Sequence, residues 1–250
     1  MTHALIVIPA RYGSTRLPAK PLLADTGKPL IQHTVEAASA VKGAEVVVAT
    51  DDQRIVDAVT AFGARAVMTD PNHPSGTDRV AEAARDSKAD IVVNVQGDEP
   101  EIEPENIAAL IEAHARTQQT DRPAFASTLV CPFPDHANPD DPNTVKAVLS
   151  QPDPAGVRSA LYFSRSRVPF PRSGDGAPFL HLGIYAFTPE GLQSFPSLNR
   201  TPLENTESLE QLRILEHGHR IAVAIVPRAA PGIDTRADYD AFVARYRSRN

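Results

Sequence analysis

The sequence lacks the marks of several common protein classes. It holds one cysteine, Cys131, so no intrachain disulfide can form, and such usage fits a reducing compartment. The thiol lies in Leu129-Val130-Cys131-Pro132, a strand end by its apolar character, so a buried structural thiol is expected rather than a nucleophile. No apolar run approaches the roughly 20 residues that cross a bilayer. Met1-Thr2-His3 leads directly into an apolar strand, without the basic segment and cleavage site of a secretion signal. A cytoplasmic chain with no membrane partner is expected. Basic residues are not in excess either: the formal net charge is -6, which argues against nucleic acid as a partner.

What the chain does have is an unusual loop. Ala4-Leu5-Ile6-Val7-Ile8 is β-branched, apolar and too short for a helix, so it reads as a buried strand. Pro9, Pro18 and Pro21 follow, with Gly13 between them, and these residues forbid regular structure. The loop carries Arg11, Arg16 and Lys20 with Ser14 and Thr15, and no acidic residue of its own. Cations, hydroxyls and turning amides after a first parallel strand suit a polyphosphate. The spacing is neither the Walker pattern G-x-x-x-x-G-K-[ST] nor the dinucleotide pattern G-x-G-x-x-G.

Helical and strand periods alternate through the first half. Helices are expected over 29–41, 51–62, 77–84 and 104–116, and strands over 46–50, 66–68 and 91–95. That alternation predicts an α/β, Rossmann-like doubly wound sheet with parallel strands. The second half departs from it, with strands over 126–130, 145–149, 180–187 and 221–226 separated by proline-rich connections. Added strands, some antiparallel, are expected there, with helices over 206–216 and 236–246. The first of these would use Leu209, Leu212 and Leu215 as its apolar face. One 250-residue domain with two lobes, 1–125 and 126–250, accounts for the pattern.

Several clusters admit a functional and a plain reading. Asp98 in Asn94-Val95-Gln96-Gly97-Asp98-Glu99-Pro100 ends a strand on the sheet edge of the basic loop, and is a hard oxygen ligand suited to Mg²⁺. Asp234 could be a second carboxylate there or the N-cap of the last helix. Ser75-Gly76-Thr77-Asp78-Arg79 suits a nucleotide contact or a simple helix cap. Arg165 could pair with the carboxylate of an acid. His181, inside an apolar strand, reads as a satisfied core residue. Glu204, Glu207, Glu210 and Gln211 read as a solvated helix face.

The string Ile8-Pro9-Ala10-Arg11-Tyr12-Gly13-Ser14-Thr15-Arg16-Leu17-Pro18-Ala19-Lys20-Pro21-Leu22 resembles the signature loop of sugar nucleotidyltransferases. It is most similar to that of the cytidylyltransferases that activate 3-deoxy-manno-octulosonate (Kdo). Further matching strings follow in the family's order, among them Ala49 to Asp52, Ser75 to Arg79, Asn94 to Pro100, Asn143 to Val148, Tyr162 to Arg165, His181 to Tyr185, Leu209 to Arg213 and Asp234-Thr235. The resemblance implies that CTP and Kdo are the substrates and CMP-Kdo, used in lipopolysaccharide biosynthesis, is the product. It implies that Arg11, Ser14, Arg16 and Lys20 hold the triphosphate. Ala10, Ser75 and Gln96 would meet the nucleoside, and Asp98 and Asp234 would bind Mg²⁺. Arg165, His181, Tyr185, Glu210 and Gln211 would line the sugar pocket. A homodimer formed through residues 160–190 is also implied. Asp78 and Phe170 stand where the family often has Glu and Trp, which leaves the choice between Kdo and an analogue such as 8-amino-Kdo open.

Overall fold

Strand β1 (Ala4–Ala10) is buried along almost its whole length, as a strand covered on both faces must be. It pairs in parallel with β2 (Ala44–Thr50) on one side and β4 (Ile91–Asn94) on the other, and β2 pairs in parallel with β3 (Ala66–Met68). The order β3-β2-β1-β4 puts the reversal of strand order beside β1, where open α/β sheets receive their ligands. Helices α1 (Leu30–Ser39), α2 (Gln53–Ala61) and α3 (Gly76–Ala83) make the connections. Asp52 caps α2 by accepting from Arg54 N at 3.0 Å, and the chain leaves the helix through Gly63 at φ +82°, a left-handed conformation that suits glycine. The computed structural model describes residues 2–13, 16–134, 137–174 and 176–249.

The chain divides into two units, residues 1–107 with 230–250, and residues 108–229. The division expected near residue 125 therefore falls earlier, and the last segment belongs with the first. The reason is apolar. Tyr239, Phe242 and Val243 of α8 (Arg236–Arg249) share a buried cluster with Ile233, Leu30 of α1 and Leu17 of the basic loop. Burial of each large side chain there contributes roughly 1.5–3 kcal/mol. The loop that carries the cations is thus pinned from beneath by the last helix. Helix α4 (Pro104–Thr117) spans the sequence boundary.

The second unit holds β5 (Ala126–Pro132), β6 (Lys146–Leu149), β7 (Arg158–Ser164), β8 (Phe179–Phe187) and β9 (Ile221–Ile225). The β5–β9 pair is parallel, and β5–β8, β6–β7, β6–β8 and β7–β9 are antiparallel, so the pairings close into a ring. Mixed strand direction is what the broken βα alternation foretold. Cys131 is buried in β5 and its thiol is pushed up by burial, as expected of a structural residue.

One helix expectation fails. Residues 206–216 do not form a continuous helix: α6 (Pro202–Glu207) ends at Ser208, φ +51°, and α7 (Gln211–Glu216) starts afresh after it. A short helix, α5 (Pro189–Ser194), precedes them. The acidic face expected to be solvated is not. Glu204 is buried and makes a bidentate pair with Arg213 across the break, at 2.8 and 2.5 Å, and Gln211 is buried too.

Candidate functional site

In the first unit the sequence places cations on the loop after β1 and carboxylates on two other segments, and the fold joins them. Lys20 Nζ donates to Asp98 Oδ2 at 2.7 Å and to the carbonyl of Ile233 at 2.8 Å, with Asp234 Oδ1 at 3.9 Å. Arg16 Nη2 lies 2.9 Å from Asp234 Oδ1. Ile233 N donates back to the carbonyl of Asp98 at 2.9 Å. Three segments far apart in sequence are therefore stitched at one sheet edge. Lys20 is largely enclosed while Arg16 and Asp234 are open to solvent, so the inner pair is the stronger and the outer pair the more screened. Arg11 points elsewhere, donating to the carbonyl of His73 at 2.8 Å. Ser14 lies outside the described residues.

Asp234 is not the cap of α8. Thr235 takes that role, accepting from Asp238 N at 3.2 Å while Asp238 Oδ2 accepts from Thr235 N at 2.8 Å. The Asp234 side chain is left to the basic loop. Gly97 explains its own presence: a Cβ there would meet the Pro9 carbonyl at 3.0 Å and Ile31 Cδ1 at 3.2 Å. A side chain there would have to push the Pro9 carbonyl or Ile31 back by a few tenths of an ångström, so glycine keeps the Asp98 turn this close to β1.

At the expected nucleoside end, Ala10 closes β1 opposite Thr50. Gln96 donates to Asn94 Oδ1 at 3.2 Å. Ser75 is the N-cap of α3: its Oγ accepts from Asp78 N at 3.2 Å and donates to Asp78 Oδ2 at 2.6 Å. Arg79, wholly buried, fixes that helix to Asp51 at 2.6 Å and to Thr69 Oγ1. The grip of α2 on the basic loop had no signal in the sequence. Arg54, held by Asp52 at 2.8 and 2.6 Å, lies 3.3 Å from the centroid of the Tyr12 ring.

In the second unit, His181 and Tyr185 sit on one face of β8, four residues apart. His181 Nε2 is 3.0 Å from Thr128 Oγ1 and 3.2 Å from the Tyr185 hydroxyl. Burial pushes the imidazole down to about 3, so it is neutral at any working pH. Burial, then the Glu210 carboxylate, raises the Tyr185 hydroxyl well above its usual value, so both groups act as hydrogen-bonding partners rather than charges. Arg165 spends three N–H groups on main-chain carbonyls: Nε on Glu207 at 2.6 Å, Nη1 on Pro142 at 2.8 Å and Nη2 on Ser208 at 3.2 Å. Glu207 returns the contact by accepting from Ser164 Oγ at 2.7 Å and Arg165 N at 2.9 Å. Glu210 and Gln211 begin α7 directly after that corner.

Among the described residues no three His, Cys, Asp or Glu side chains gather as a metal cluster. Two carboxylates that share one ammonium are a different donor set. They fit Mg²⁺, which takes one or two carboxylates and fills its remaining positions with water and substrate oxygen.

A sequence profile of the cytidylyltransferase family matches residues 5–221. A 3-deoxy-manno-octulosonate cytidylyltransferase of Escherichia coli is 46% identical over 95% of this chain and 93% of its own. An 8-amino-3,8-dideoxy-manno-octulosonate cytidylyltransferase of Shewanella woodyi is 45% identical over 97% of this chain and 98% of its own. Among solved structures, a CMP:2-keto-3-deoxy-manno-octonic acid synthetase complexed with CTP superposes with a TM-score of 0.91, at 42% identity and full coverage of both chains.

Proposed function

Since the chain belongs to the cytidylyltransferase family, we propose that it couples CTP to Kdo, giving CMP-Kdo and pyrophosphate for lipopolysaccharide biosynthesis. The C2 hydroxyl oxygen of the sugar forms a bond to the α-phosphorus, and the bond from that phosphorus to the β-phosphate oxygen breaks in line. Such a reaction needs positioning and charge neutralisation more than covalent help. The observation that carries the reading is the Lys20–Asp98–Ile233–Asp234 junction at the end of β1, which sets cation and carboxylate side by side on a rigid edge. Lys20 and Arg16 would take the triphosphate, and Arg11, which donates to the His73 carbonyl here, would have to turn to join them. Asp98 and Asp234 would hold magnesium. When bound, that ion neutralises phosphate charge and lowers the pKa of the attacking hydroxyl.

Arg165, His181, Tyr185, Glu210 and Gln211 would receive the sugar acid. Neutral His181 and Tyr185 suit hydroxyls, and Arg165 suits the carboxylate. A homodimer through residues 160–190 is part of the same reading, supported by Leu161 and Phe170, which are 60% and 81% exposed. No helix among the described residues is long and apolar enough to cross a membrane; a cytoplasmic setting would supply CTP and keep Cys131 reduced.

A second reading, with an amino group at C8 of the sugar, is favoured by the Shewanella woodyi relative. Pyrophosphate release with CTP and each acid in turn separates the two. The proposal expects the higher kcat/KM with Kdo, and a preference for the 8-amino acid would reverse it.

A further inference from the structure

Lys146 is a charged side chain with no exposed surface. It stands on β6, paired with Ser164 of β7 and Leu180 of β8, so its stem is enclosed by strands. Its ammonium donates to three main-chain carbonyls: Asp141 at 2.7 Å, Thr144 at 2.8 Å and Arg165 at 2.6 Å. An ammonium has three N–H groups, so all are used. Burial lowers its pKa, which marks the cost of keeping it there. A buried charge whose direct hydrogen bonds are all to carbonyls, with the Asp141, Asp140 and Glu207 carboxylates only nearby, is expensive compared with an apolar side chain of the same length. Stability alone would favour methionine.

The contacts show what the charge does instead. The carbonyl it holds at 2.6 Å belongs to Arg165, whose guanidinium reaches Pro142, Glu207 and Ser208. Lys146 grips the turn at 141–144 and Arg165 grips the same turn through Pro142, so both cations hold one turn while Lys146 also holds the main chain of Arg165. Of the five N–H groups of a guanidinium, one on each Nη of Arg165 remains for a ligand. Their direction is fixed by the carbonyl cage.

We propose that Lys146 is a positioning residue for the sugar substrate, which it never touches: its ammonium holds the main chain of Arg165 so that the two remaining guanidinium N–H groups meet the carboxylate of the incoming acid. This rests on the reading of Arg165 given above. Removing the ammonium frees the turn and Arg165 together, and weakens the acid's binding while CTP binding is unaffected.

The test is steady-state kinetics on Lys146→Ala and Lys146→Met, with each substrate varied in turn, alongside Arg165→Lys and melting curves. The expected result is a KM for Kdo raised about tenfold or more in both Lys146 variants, with the KM for CTP within about twofold. Ethylamine or propylamine should restore the KM of Lys146→Ala, whose cavity can admit the missing ammonium, and not that of Lys146→Met. If Arg165→Lys raises the KM for Kdo and neither Lys146 variant does, the positioning role falls and the Arg165 reading stands. An unmoved KM in Arg165→Lys overturns both. Equal losses for both substrates, no rescue by amine, or failure of both Lys146 variants to fold with amine present would show a purely structural lysine and overturn the proposal.

Discussion

Lys20 Nζ and Asp98 Oδ2 lie 2.7 Å apart although their residues are 78 positions apart in the chain. One sits on a loop with no acidic residue of its own, the other on a turn with no cation, and the fold makes each the other's counterion. The carbonyl of Ile233, which accepts from the same ammonium, belongs to a segment buried with Leu17 and Tyr239. The lysine is therefore aimed before any substrate arrives, and pre-aimed charge is what lowers a phosphoryl-transfer barrier.

Replacing that lysine should be costly to the reaction. Lys20→Ala is expected to lower kcat/KM for CTP by about 2–4 kcal/mol in transition-state terms, as for a charge-assisted contact in an enclosed site. Arg16→Ala, at a more open pair, should cost less. A Lys20→Ala enzyme within about threefold of the parent would remove the phosphate role.

The carboxylates should act as one unit. Asp98→Asn and Asp234→Asn are each expected to weaken binding of Mn²⁺, followed by its paramagnetic effect on water, and to raise the Mg²⁺ needed for turnover. The double variant should be little worse than either single one, because both would act on one ion. Independent, multiplying losses would separate them.

The pairing of these segments was half legible. Strand ends at one sheet edge follow from the βα alternation, so Asp98 and the basic loop could be placed near one another from sequence. That Lys20 would use the main chain of Ile233 could not be, since a carbonyl carries no sequence signature. The α6–α7 corner was misread for a related reason. Leu209, Leu212 and Leu215 keep a helical period but all follow Ser208, a non-glycine residue in the left-handed region, and the Glu204–Arg213 pair that stabilises the break lies on both sides of it. The string Asn143 to Val148 contains Lys146, but nothing in it marks the lysine as buried, because a buried lysine and a surface one are the same letter.

Acid should destabilise the protein in part through His114, alongside the buried His181. His114 is buried on α4 with Nδ1 2.8 Å from Ser127 Oγ, and burial pushes its pKa down to about 4. The unfolded value is about 6.5, so between these limits the unfolded chain binds more protons and stability falls as pH falls. The loss is on the order of 3 kcal/mol by pH 4, complete below that and absent above about pH 7. His114→Gln should flatten this part of the curve in urea unfolding at pH 7 and pH 4.5. An unchanged slope would contradict it.

Association should follow the exposed apolar residues of the 160–190 segment. Sedimentation is expected to give a dimer at micromolar concentration, and Leu161→Glu with Phe170→Glu to give a monomer, since desolvating charge in an interface is unfavourable. A parent protein that sediments as a monomer would rule out the dimer.

Transfer of the cytidylyl group of CTP to a sugar acid is assigned to the Lys20–Asp98 edge. Incubation with CTP labelled at the α-phosphorus, with and without Kdo, tests it most directly. Label should enter a CMP-sugar only when Kdo and Mg²⁺ are both present, with unlabelled pyrophosphate released in equal amount, and Asp98→Asn should abolish both. Label remaining in CTP, or appearing as free CMP regardless of the acid, would contradict it.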